Sequence, residues 1–183
     1  MSDFEYASVV VSIVLAIGIA DLLRFLADSF RESGGHKLYW VHLLWILLLL
    51  QFHVEFWWRM WTFKELVTVG PGLGLVLLGP ALLFVAARAL LPSGGADGDM
   101  QALYYRRKNL FFVLLALLNS WALLFSPWSA GMESAESMTP MIFMFASVMA
   151  LFVACIFSSS QILHKIVVSL ILVLEVLDMF SAP

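Results

Sequence analysis

The chain has 183 residues, 62% hydrophobic and 13% charged, with a formal net charge of −3 and a mean hydropathy of +0.96. Soluble domains are about half apolar and about a quarter charged, so the composition excludes a soluble globular enzyme and a disordered chain. The acidic balance leaves no basic footprint for nucleic acid, and the single cysteine, Cys155, excludes an intrachain disulfide.

A hydrocarbon core of about 30 Å takes roughly 20 apolar residues to cross. Six apolar runs lie at about 4–30, 38–63, 73–91, 104–125, 140–157 and 162–180. Backbone groups in lipid must bond within their own segment, and long runs without alternation are helices, not barrel strands. The fold class is therefore all-α: a polytopic membrane bundle of six transmembrane helices forming one domain over 1–183. Asp3 and Glu5, with no Lys or Arg ahead of the first run, make it a retained helix and not a cleaved signal.

In the first helix Asp21, Arg24 and Asp28 stand at i, i+3 and i+7. One arginine can pair with both acids, which makes these three a candidate inner ion network: a snorkelling brace or an inner gate. In the second helix Tyr39 and Trp40 lie about 27 Å from Trp57, Trp58 and Trp61 at 1.5 Å per residue, the separation of two interfacial aromatic belts. Gln51, Glu55 and Arg59 share one face at i, i+4 and i+8, and the plain alternative is that Glu55 and Arg59 pair along their own helix. His42 and His53 are eleven residues apart on nearly one face. Haem ligation would need opposing histidines, and only His164 matches His42 in depth, so bonds to backbone or a neighbouring polar group are expected instead.

Thr68 to Gly72 reads TVGPG, like a potassium-channel filter. Pro71 fixes φ and removes an N–H, and no pore helix fits before it, so a turn starting the third helix is expected. Gly79-Pro80 predicts a kink with close packing. The fourth helix carries Arg106, Arg107 and Lys108 near its start and Asn119 and Ser120 further along, and is expected to stop at the break Ser126 to Gly131. Ser158 to Gln161 separates the last two runs without Gly or Pro, which leaves a tight turn or one continuous bent helix. Glu175 and Asp178 close the sixth helix. Ser160 and His164 at i, i+4 lack an acidic orienter, and GxSxG and HExxH are absent. No enzyme, metal site or cofactor is expected.

Arg24, Arg31, Lys37, Arg88, Arg106, Arg107, Lys108 and Lys165 fall on one side of this topology; Arg59 and Lys64 fall on the other. That asymmetry makes the basic side cytoplasmic and places both termini outside.

The stretches FEYASVVVSIVLAIGIADLL, YWVHLLWILLLLQFHVEFWW, GPALLFVAARALLP and YYRRKNLFF resemble those of a group of small bacterial polytopic inner-membrane proteins, over about the first two-thirds of the chain. The resemblance implies a bacterial source and an inner-membrane location, and it carries no activity, cofactor or site residue.

The loops are too short for a soluble domain, so function must lie in the bundle. Gln51, Glu55, Asn119, Glu175 and Asp178 are the candidate ion or polar pocket, in the outer half. The expectation is a small channel or transporter for a cation or proton, built from several copies in the bilayer. The alternative is a non-transporting scaffold or accessory subunit that binds a membrane-protein partner through Trp-rich apolar faces.

Overall fold

The computed structural model describes residues 2–31, 38–64, 72–92, 99–130 and 135–181. It contains α1 (Asp3–Arg31), α2 (Trp40–Arg59), a 3-10 turn (Met60–Phe63), α3 (Gly72–Leu90), α4 (Met100–Ala130), α5 (Ala135–Phe157) and α6 (Gln161–Ser181). Among the described residues every regular element is helical. Most of the expected breaks Arg31 to Gly35, Gly70 to Gly72 and Pro92 to Asp99, and most of the TVGPG stretch, lie outside the described residues.

Five segments are long and apolar enough to cross a membrane: Asp3–Ser29, Trp40–Phe63, Gly72–Leu90, Met100–Phe125 and Met138–Phe157. The 21-residue α6 is not among them, because every 18-residue window of it contains Lys165, Glu175 and Asp178.

Local chemistry sets the helix ends. Ser2 and Glu5 form a reciprocal capping box on α1: Ser2 N donates to Glu5 Oε2 at 2.8 Å and Glu5 N to Ser2 Oγ at 3.3 Å. Asp99 caps α4 by accepting from Gln101 N and Ala102 N. The second run is not one helix to residue 63. It tightens after Arg59 into the 3-10 turn, where Thr62 Oγ1 donates to the Arg59 carbonyl and Phe63 turns inward to stack on Phe56 at 6.0 Å. α4 runs past the expected stop, through Ser126 and Pro127 to Ala130. Proline's fixed φ is helical, and near a helix end its missing N–H removes only one ladder bond. Between α5 and α6 lies a tight turn, Ser158 to Ser160.

The bundle is assembled around α2, which packs against α1, α3, α4 and α6 and buries His42, Trp45, Leu49 and His53 completely. α1 packs on α3, α3 on α4 and α4 on α5, whereas α5 and α6 touch only sparsely. Cross-helix contacts define two ends. Phe4 meets Trp61 and Arg59 meets Asp178 at one; Asp21 meets Arg88 and Tyr104 meets His164 at the other. Glycine allows the closest helix approaches. A Cβ on Gly18 would lie 2.3 Å from His53 Nε2, and one on Gly79 would lie 2.5 Å from Phe56 Cε2. The close packing expected at Gly79-Pro80 is therefore present, in an α3 that continues through Pro80.

Trp40, Trp57, Trp58 and Trp61 face outward, as belt residues do. Tyr39 does not: it is buried, and its hydroxyl lies 3.3 Å from that of Tyr105. A phenol near a helix start can turn inward whenever another hydroxyl is there to meet it.

Candidate functional site

At the end marked by Arg59 and Asp178 the helices enclose a cavity of about 320 Å³ between α2, α4, α5 and α6. Four of the five residues expected in a polar pocket line it: Glu55, Asn119, Glu175 and Asp178. Gln51 does not reach the wall; its Nε2 donates to Glu55 Oε1 at 3.1 Å, so it acts on the cavity through Glu55. Glu175 of α6 and Glu55 of α2 line the same cavity, with Arg59 and Asp178 on its wall beside them. Two carboxylates on one cavity wall repel each other, which favours a positive charge or a proton near them.

Arg59 does not pair with Glu55 along α2. Its Nη2 reaches Asp178 Oδ2 at 2.6 Å, with both side chains more than half exposed, because the fourth-neighbour position on α2 faces the cavity while the arginine tip extends to the rim. Asp178 is thereby matched with a cation, whereas no salt bridge joins Glu55 or Glu175 to a basic group among the described residues. Asn119 donates from Nδ2 to the Phe145 carbonyl at 3.1 Å, which ties α4 to α5 beside the same cavity. Ser120, expected nearby, only back-bonds to Ala116 O.

The rest of the wall is largely apolar, aliphatic side chains such as Leu83, Leu115 and Ile171 alternating with aromatic rings. Phe52, Phe56, Trp121, Phe125, Phe145 and Phe152 all contribute. Trp121 is fixed by its Nε1 donating to Leu75 O at 2.9 Å and by its ring lying 5.4 Å from Phe56.

The inner ion network differs from expectation. Arg24 reaches Asp21 at 3.5 Å, and the second partner of Asp21 is Arg88 of α3 at 3.2 Å. Asp28 is exposed, and among the described residues no ion pair joins it to Arg24. Both arginines point into open space, so Asp21 links α1 to α3 at a surface where ion pairs are weak.

That same end holds a buried polar group that charge counting did not single out. Tyr104 OH lies 2.9 Å from His164 Nδ1, and His164 Nε2 lies 3.0 Å from Ser158 O. A carbonyl can only accept, so Nε2 carries the proton and Nδ1 accepts from the tyrosine. Lys108, counted from sequence as a cytoplasmic surface charge, is 6% exposed. Its Nζ donates to Cys155 O at 3.1 Å, Ile156 O at 2.8 Å and Asn109 Oδ1 at 2.9 Å. It therefore caps the C-terminus of α5, where the negative end of the helix dipole favours a cation. The signal was the Ser158 to Gln161 break itself: a helix that ends without glycine leaves carbonyls needing a donor. His42 and His53 bond to backbone as expected, through Nε2 to Leu90 O at 3.0 Å and Nδ1 to Leu49 O at 2.7 Å. With both nitrogens of His164 engaged, His42 has no opposing ligand there. Among the described residues no three His, Cys, Asp or Glu side chains gather to hold a metal.

Comparison with known protein families, characterised proteins and solved structures returns no match to this chain.

Proposed function

We propose that this chain is a six-span bacterial inner-membrane protein, with α6 as the sixth span and both termini outside, that carries a cation or a proton through the cavity beside Glu55 and Glu175. A 21-residue helix extends about 30 Å, enough for a span, and the two acids that lower its hydropathy line the cavity. Membrane-embedded acids are costly and ordinarily mark an ion or proton path. The observation that carries the reading is that Glu55 and Glu175 line one cavity on which Arg59 is the single base, and that among the described residues neither acid makes a salt bridge. Towards the opposite end Trp45 packs edge-on against Phe111 and Phe112 at 5.1 and 5.5 Å, and a plug of this kind favours a carrier over a permanently open channel.

Purified protein in liposomes is expected to move protons or a monovalent cation faster than empty vesicles do, and Glu175→Gln is expected to abolish the excess. Flux equal to that of empty vesicles, or flux unchanged by Glu175→Gln, refutes the proposal. The exposed Trp57, Trp58 and Trp61 favour a second reading, an accessory subunit docking a membrane partner. Native purification that returns only copies of this chain removes it, and the mass of that species tests the expected self-association.

A further inference from the structure

The cavity has more to say about its occupant than charge alone. Resting on the cation reading above, we infer that the occupant is an amphipathic organic cation, an ammonium bearing apolar substituents, and not a bare metal ion. Three observations carry this. First, the wall is predominantly carbon: Phe52, Phe145 and Phe152 face the same space as Glu55 and Glu175. Aromatic faces attract a diffuse cation through their quadrupole, and a wall of this kind solvates apolar substituents but cannot replace the water shell of a small metal ion. Second, the acids do not converge as metal ligands do; Asp178 is turned to Arg59 at the rim, leaving a carboxyl pair for one charge. Third, the volume of about 320 Å³ belongs to the size class of small-molecule pockets, far larger than a dehydrated inorganic cation needs.

The way in agrees with such a molecule. Met144 of α5 and Leu174 of α6 belong to the cavity wall yet are 52% and 39% exposed. The cavity thus opens sideways between two helices that touch sparsely, towards the surface that faces lipid in a membrane. Arg59 and Asp178, both half-exposed, mark a second, polar opening at the rim. An amphipathic cation partitions into the interface, with its charge at the rim and its apolar part among the chains, so it meets both openings at once.

The test uses benzyltrimethylammonium as probe and its uncharged carbon isostere, neopentylbenzene, as control, each titrated into the purified protein in nanodiscs and followed by calorimetry and by tryptophan fluorescence, with Trp121 in the wall. Saturable binding of the ammonium, at least about tenfold weaker binding of the isostere, and about tenfold loss on Glu175→Gln are expected for a half-buried charge pair. Phe145→Leu keeps the apolar volume, removes a ring, and is expected to weaken the ammonium about threefold. It serves as the readout if Glu175→Gln does not fold. Equal affinity for ammonium and isostere overturns the inference, as does unchanged affinity in Phe145→Leu. Absence of ammonium binding alongside proton, Na⁺ or K⁺ flux in liposomes overturns the inference and leaves the cation carrier standing. Absence of both overturns the two together.

Discussion

Gly18→Ala is the sharpest test of how α1 sits on α2. The added methyl would lie 2.3 Å from His53 Nε2 and 2.8 Å from Cδ2, where real carbon contacts begin near 3 Å. The imidazole cannot simply tilt away, because it is fully buried and its Nδ1 holds Leu49 O at 2.7 Å. Either α1 shifts, an overpacking cost of about 1–3 kcal/mol, or the ring rotates and gives up a buried hydrogen bond, about 1–3 kcal/mol. Alanine's better helix propensity returns about 1 kcal/mol, so the net loss is about 1 kcal/mol, roughly fivefold in the unfolding equilibrium. Gly74→Ala is the control: nothing lies within 4 Å of its Cβ position, and it is expected to be neutral or slightly stabilising. Unfolding in mixed micelles by titration with sodium dodecyl sulfate, followed by circular dichroism, measures both. The steric cost of Gly18→Ala should vanish in a His53→Ala background, giving a coupling of about 2 kcal/mol. Indistinguishable Gly18→Ala and Gly74→Ala proteins, or a cost that persists without His53, refute the reasoning.

Lys108→Met leaves the Cys155 and Ile156 carbonyls without their buried donor and is expected to cost about 2–3 kcal/mol in the same assay, against less than about 0.5 kcal/mol for a truly surface lysine. Asp21→Asn breaks two ion pairs whose arginines are largely exposed, so the expected loss is at most about 1 kcal/mol, and it should shrink further in high salt. In a Cys155→Ser background, Ser2→Cys should react with an impermeant maleimide added to intact bacterial cells, whereas Gly34→Cys should react only after lysis. The reverse labelling pattern refutes the outward placement of the termini.

Apolar length and polar punctuation were enough to read the helices, because a bilayer-sized run has little choice but to close its own hydrogen bonds. Four of the pocket residues were legible because each is a polar side chain in an apolar run, and the helix period places Glu55 one turn deeper than Arg59 and Glu175 just below Asp178. Partner choice was not legible. Arg59 takes Asp178 from α6 instead of its fourth neighbour, and Asp21 takes Arg88 from α3, since side chains at a helix end meet whatever the tertiary packing brings there. Lys108 was misread for a related reason. Its neighbours Arg106 and Arg107 dominate a count of charge by side, and nothing in YYRRK tells which basic residue turns to the end of α5. The extensions of α4 through Ala130 and of α5 back to Ala135 escaped because hydropathy reports where lipid ends, not where a helix does.

The ionisable groups inside the bundle are satisfied unequally, and that inequality fixes the sign of any charged occupant. Lys108 is buried, but it faces the carbonyl end of α5 with two backbone acceptors and one amide oxygen, so its charge is stabilised without a counter-ion. The histidines donate to backbone carbonyls. Arg59 and Asp178 cancel at the rim. Glu55, by contrast, receives one neutral amide from Gln51 and otherwise shares the cavity wall with Glu175. Among the described residues the cavity wall therefore carries Glu55, Glu175 and Asp178 against Arg59 alone, and its balance is negative. An anion entering the cavity would add to that negative charge at low dielectric, where two like charges 4 Å apart oppose each other by about 4 kcal/mol even at an effective dielectric constant near 20. Chloride flux through reconstituted protein, at a rate exceeding that of cations and protons, would contradict this assignment of sign.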